Sequence, residues 1–238
     1  MTLTISSVQQ SVYTESHNAI LIEDIHENSL PLPVLERLLK SVQDGTVGVA
    51  SVYRSDCSLS CLAFATLTRG LVVNFVAGPK TKKGQEQQLP VYRGRTLLQD
   101  LILCDSNIQL YGYRIDRIAA ALFLDLSLRI NAAVDILSVA PDRYDRRSPQ
   151  ALMNALGGDL LLHKENVKAL FAWRGGHDPL SSNDVALQAW ATCRAATLAH
   201  MVPRYAIIPR IATDTMPDFV CNLHIVDYPC PLIHNGSI

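Results

Sequence analysis

Aromatic residues make up only 6% of this 238-residue chain, so a surface that stacks successive bases on rings has little material to be built from. Charge is no more generous: 21 Lys and Arg stand against 22 Asp and Glu, a formal net of -1. That balance excludes the whole-domain basic field of many nucleic-acid binders and leaves only local contacts. The six cysteines (57, 61, 104, 193, 221, 230) form no Cys-x-x-Cys pair, which favours reduced packing thiols over disulfides or a zinc site. No apolar run reaches the roughly 18 residues of a membrane span, and residues 1–16 have no signal-like apolar core. The expectation is an intracellular protein of cytoplasm or nucleus with no membrane partner. A phosphate-cradling glycine loop, a dinucleotide fingerprint and a Ser-His-Asp signature are all missing, so no cofactor is expected.

What is present is a core-forming chain, 48% hydrophobic, large enough for one domain with extensions. Residues 1–17, rich in Ser, Thr and Gln, read as a flexible leader. Ala19–Ile25 reads as a strand, and Leu32, Val34, Leu35, Leu38, Leu39 and Val42 fall at helical spacing. Three short Val-, Leu- and Ala-rich segments follow at 46–53, 57–66 and 70–76, split by tight turns, as in an antiparallel meander. Residues 78–92 read as a surface loop, and 95–104 returns to helical spacing. Leu110-Tyr111-Gly112 then runs as a strand through a glycine turn into a helix, and Ala132–Leu137 reads as the next strand, a βαβ unit. Ser148-Pro149 and Ser181-Ser182-Asn183-Asp184 open two further helices. Residues 18–201 are therefore expected to form one α/β domain with a mixed sheet and helices on both faces, and 202–238 an extension packed on the domain or on a partner.

Gly112, Ile118 six residues on and Leu122 four further give a cadence that resembles the second motif of the ribonuclease D and Werner branch of the DEDD 3′-5′ exonucleases. The layout from residue 19 to 199, about three quarters of the chain, resembles that domain throughout. Val47–Tyr53 stands where the family has Asp-x-Glu followed by an aromatic. Ser148–Gly157 resembles its segment ending in Leu-Leu-Gly, and Pro179-Leu180-Ser181 its Pro-Leu before the final helix. The resemblance implies a three-layer ribonuclease H-like fold.

It also implies that the metal-holding acids are gone. By the resemblance, Ala50 and Val52 replace the first two, Ile118 replaces the third, and Trp190 and Arg194 replace the tyrosine and aspartate of the last motif. Such enzymes use two divalent cations, held by carboxylate oxygens, to make the attacking hydroxide and to stabilise the leaving oxygen. Alanine, valine and isoleucine ligate nothing, and a guanidinium repels cations. The resemblance therefore implies a pseudo-exonuclease, not an enzyme, whose inactive relatives act as adaptors in RNA metabolism and small-RNA silencing. The open alternative is an active exonuclease with relocated carboxylates, for which Asp56, Asp116 and Asp135 are the candidates.

Arg194 is a candidate for holding a phosphate with two parallel hydrogen bonds, its other reading being a salt bridge. Arg114, Arg117, Lys82 and Lys83 are candidate strand contacts, as are the clusters Lys80, Arg93, Arg95 and Arg143, Arg146, Arg147; solvated loops have the same composition. His163-Lys164-Glu165 and His177-Asp178 read as loop or cap residues without a nucleophile in spacing. The partners expected are another protein, RNA or single-stranded nucleic acid, and a second copy of the chain.

Overall fold

A computed structural model describes residues 3–76, 93–139, 148–172 and 180–216. Seven strands form one mixed sheet: β1 Thr4–Val8, β2 Ile20–His26, β3 Thr46–Tyr53, β4 Leu59–Ala65, β5 Arg69–Asn74, β6 Gln109–Gly112 and β7 Ala133–Asp135. Their spatial order is β1-β2-β5-β4-β3-β6-β7. The expected meander is there: β3, β4 and β5 pair antiparallel in succession, while β6 runs parallel to β3 and β7 parallel to β6. This central order, with the meander on one side of β3 and a parallel βαβ unit on the other, is the ribonuclease H-like arrangement.

Helices cover both faces. On one lie α1 (Leu32–Leu39), α2 (Arg93–Leu98, continued by a π-helical turn over Gln99–Leu103) and α3 (Ile115–Leu126); they bury Leu35, Leu98, Ile118 and Leu122 against Val47, Val49, Leu62 and Phe64. On the other lie α4 (Pro149–Ala155), α5 (Lys164–Phe171), α6 (Ser182–Thr197) and α7 (Val202–Ala206), packed on Ile20, Ile22, Ala50 and Ala63. Strand alternation sends odd residues of β3 to the first layer and even ones to the second. The result is three layers.

α6 is the central helix of its layer. Its start is fixed by a capping box, Ser181 Oγ accepting from Asp184 N at 3.1 Å and Asp184 Oδ2 from Ser181 N at 3.3 Å. It crosses β3 at Gly48, where a Cβ would sit 1.8 Å from the Ala189 carbonyl oxygen, so only glycine admits the helix this closely. α4 begins as its Ser-Pro sequence requires, with Ser148 Oγ accepting from Ala151 N at 3.1 Å.

Three expectations are corrected. Residues 4–8, assigned to a flexible leader, form the edge strand β1, and Val12 and Tyr13 behind it are buried against the second layer. Lys164 and Glu165, placed with His163 in a loop-like stretch, open α5, whose Val167, Leu170 and Phe171 share one buried face, while His163 is its N-cap, as the cap reading of that residue has it. The strand expected over 132–137 stops at Asp135 and passes into a 3-10 turn, Ile136–Val139. The expected loop at 78–92 lies outside the described residues. The extension packs on the domain as far as it is described: Tyr205 is buried, and Ala133 and Ile211 exchange backbone hydrogen bonds of 3.0 and 2.8 Å. Among the described residues no helix is long and apolar enough to cross a membrane.

Candidate functional site

β3 and β6 run parallel side by side, so their carboxyl ends share one rim of the sheet, the place where α/β sheets bind ligands. Val49 is level with Gly112, and Gly112 with Asp135, so Ala50–Tyr53, Tyr113–Asp116 and Asp135–Ser138 converge on one rim. Gly112 sits at the turn because a Cβ there would lie 2.6 Å from Ile115 Cδ1 and 3.1 Å from the Val49 carbonyl oxygen. The next turn is left-handed: Arg114, the N-cap of α3, has φ 55° and ψ 47°. Its backbone N–H reaches Asp135 Oδ1 at 3.3 Å, and the same oxygen accepts from Leu137 N at 3.1 Å, which fixes that carboxylate at the end of β7.

Asp116 and Asp135 line a half-open cleft of about 360 Å³ with Ser138, and Ile208, Pro209 and Ile211 of the extension form its other wall. Asp116 is exposed in the first turn of α3, where a negative side chain is favoured by the helix dipole. Arg117 lies over the Tyr53 ring, 4.0 Å from its centroid. Burial pushes the Tyr53 phenol up from its ordinary pKa against the opposing pull of Arg117. Tyr113 is likewise raised, by burial first, with Arg114 lowering it and Asp135 raising it. Both phenols are therefore neutral at physiological pH.

The positions named from the sequence do not all meet here. Ala50 is buried on the α6 side of the sheet and Val52 packs against the same cluster. Ile118, 2% exposed, is buried on the opposite side with Ile115 and Leu122. Trp190 is also buried, its indole N–H donating to the Leu67 carbonyl at 3.0 Å and its ring edge-on to Tyr13 at 5.7 Å. Arg194 donates to Glu15 Oε2 at 2.9 Å, the salt-bridge reading, and faces the segment before β2. Arg114 and Arg117 lie at the rim, and Lys82 and Lys83 lie outside the described residues. So do His177, Asp178, Lys80, Arg143, Arg146 and Arg147.

Asp116, one of the candidate carboxylates, is the one that α3 brings to the cleft. Ile115, Ile118, Ala119, Leu122 and Leu126 are the buried stripe of α3, a spacing that by itself assigns Ile118 to the core and leaves Asp116 on the open side. Among the described residues no group of three or more His, Cys, Asp or Glu side chains is gathered as a metal site.

No protein-family model matches the chain, and no curated protein sequence matches it. Among solved structures it is similar to a nuclease in its apo form at 13% identity and TM-score 0.44, over 78% of this chain and 84% of that one. It is similar to the EXO domain of Aedes aegypti Nibbler at 12% identity and TM-score 0.41, over 69% of this chain and 84% of that one. A third likeness is to Trypanosoma brucei RNase D in complex with GMP, at 12% identity and TM-score 0.41, over 77% of this chain and 57% of that one.

Proposed function

We propose that this chain is a catalytically inactive exonuclease-like domain that works as an adaptor in RNA metabolism, through a protein partner and a retained strand-binding rim. The observation that carries the reading is the composition of β3. Two-metal hydrolysis needs carboxylate ligands, two of which the family resembled in sequence carries on this strand, and at the rim β3 supplies Ala50 and Val52 instead, both packed into apolar surroundings. Arg114 and Arg117 stand beside the same rim, so a strand laid there meets guanidinium donors but no ligand from β3.

A second reading has one observation in its favour: Asp116 and Asp135 line the same cleft. Two carboxylates suffice to hold one cation weakly, and this is the arrangement a relocated active centre would start from.

The test is a time course with end-labelled single-stranded RNA and DNA in Mg²⁺ or Mn²⁺, read on a native gel and a denaturing gel. The adaptor reading predicts intact strands, retarded in a complex that weakens steeply with added salt. Chelator-sensitive cleavage abolished by Asp116→Ala would establish the second reading instead. Intact strands with no complex would remove the nucleic-acid half of the proposal and leave the protein partner.

A further inference from the structure

The cleft at the rim has two walls of different origin. Asp116, Asp135 and Ser138 belong to the βαβ unit and the turn after it, whereas Ile208, Pro209 and Ile211 belong to the extension. Ile211 pairs antiparallel with Ala133, the first residue of β7. The chain ahead of Ile211 therefore runs toward the carboxyl end of β7, which brings Ile208 and Pro209 up to the acids.

The extension is held in two places by different means. Ahead of the cleft the anchor is a packed helix: α7 buries Tyr205, whose hydroxyl donates to the Ala155 carbonyl, and Arg204 Nη2 donates to the Val139 carbonyl at 3.1 Å. Across residues 207–216, by contrast, Thr213 is the one buried residue, and Ile207 is 82% exposed. The ties of this stretch are hydrogen bonds. Besides the Ala133 and Ile211 pair, Thr213 N donates to the Ile130 carbonyl at 2.7 Å, and Ile130 N donates to Thr213 Oγ1 at 3.0 Å.

Arg129 gathers the end of the stretch. Its Nη1 donates to the Thr213 carbonyl at 2.8 Å, to the Asp214 carbonyl at 3.3 Å and to the Met216 carbonyl, and such charge-assisted bonds are the strong ones. Its own backbone is fixed from α2 and the turn that continues it: Arg129 N donates to Gln99 Oε1 at 2.9 Å, and its carbonyl accepts from Cys104 Sγ at 3.4 Å. A segment that buries little apolar surface and is tied by a few hydrogen bonds opens at a lower free energy than the core it lies on.

We propose that residues 207–216 are a strap that opens and closes the cleft, and that Arg129, which is not among the cleft's lining residues, is the positioning residue that holds it shut. With the strap in place Asp116, Asp135 and Ser138 face a wall. When it is released they lie on an open rim, and the α7 anchor keeps the strap attached for reclosure. The inference concerns access to the cleft and is independent of whether the domain binds or cleaves nucleic acid.

The experiment uses the full chain with Ser138→Cys as a reporter inside the cleft, alone and combined with Arg129→Ala or with Thr213→Val. Peptide mass spectrometry follows the rate at which a polyethylene-glycol maleimide modifies position 138. Nuclear magnetic resonance follows hydrogen exchange of the Ile211 and Thr213 amides beside those of Leu62 and Val72 in the sheet centre. Arg129→Ala should speed the modification at least about tenfold, the scale of losing hydrogen bonds to a charged group, and should remove the protection of Ile211 and Thr213 while Leu62 and Val72 keep theirs. Thr213→Val, which removes one tie, should speed it by less. Strap amides that lose protection while the modification rate stays the same overturn the gate, and strap amides that keep protection without Arg129 overturn the clamp. Should Arg129→Ala also expose Leu62 and Val72, Thr213→Val decides: modification no faster than with Ser138→Cys alone overturns the inference.

Discussion

Where β3 ends, Ala50 and Val52 are packed against the α6 layer; two strands along the same rim, where β7 ends, Asp135 meets Asp116 across an open cleft. On β3 the rim positions belong to the core, while on the βαβ unit the two acids line an open cleft. An acid at the surface of a first helical turn costs almost nothing and is favoured there by the dipole. An acid on a buried strand is costly unless a cation or a base compensates it.

The sharpest way to break the comparison is to restore the missing half. Ala50→Asp places a carboxylate at a site only 5% exposed and should cost on the order of 3–5 kcal/mol in urea denaturation, the scale for an uncompensated buried charge. Recovery of that loss by Mn²⁺ would mean that Asp116 and Asp135 converge on the introduced group. Next in size is the contrast within α3. Ile118→Ala should lose about 2–4 kcal/mol by leaving a cavity under the sheet, whereas Asp116→Ala should stay within about 0.5 kcal/mol. Equal effects would contradict their placement on opposite sides of the helix.

The pattern that fixes those placements is in the sequence. Buried stripes at helical spacing and the Val-rich meander made β3 to β7, α1 and α3 legible, because apolar period alone decides those elements. β1 was not legible: Thr, Ile, Ser and Val alternate without a strong apolar face, and only pairing with β2 gives the segment a reason to be ordered. α5 was obscured by its charged opening, Lys164-Glu165, although Val167, Leu170 and Phe171 carried the period. At the site, the motif count falls on Ile118, and helical phase places that residue in the core and Asp116 on the open side of α3. Arg194 could not be resolved either way from sequence, since its partner Glu15 is 179 residues distant along the chain.

The smallest expected effect concerns that same contact. Burial beside Trp190, and then the Arg194 charge, hold the His17 imidazole below its ordinary 6.5, with Glu15 opposing. The folded state therefore binds its proton more weakly than the unfolded chain does. Stability contributed by the neutral ring is present above the unfolded value and is lost as pH falls through it toward the folded value. His17→Gln should flatten the fall of Tm over that interval; an unchanged slope would assign the acid sensitivity to other groups.

The proposal that the domain holds no working metal centre is tested most directly by titrating the full chain with Mn²⁺ in a calorimeter, with Asp116→Ala alongside. Without carboxylates from β3, wild type should give no saturable heat, or at most one weak site that Asp116→Ala abolishes. Tight binding of two cations, lost in Asp116→Ala, would contradict the account and support the relocated metal centre.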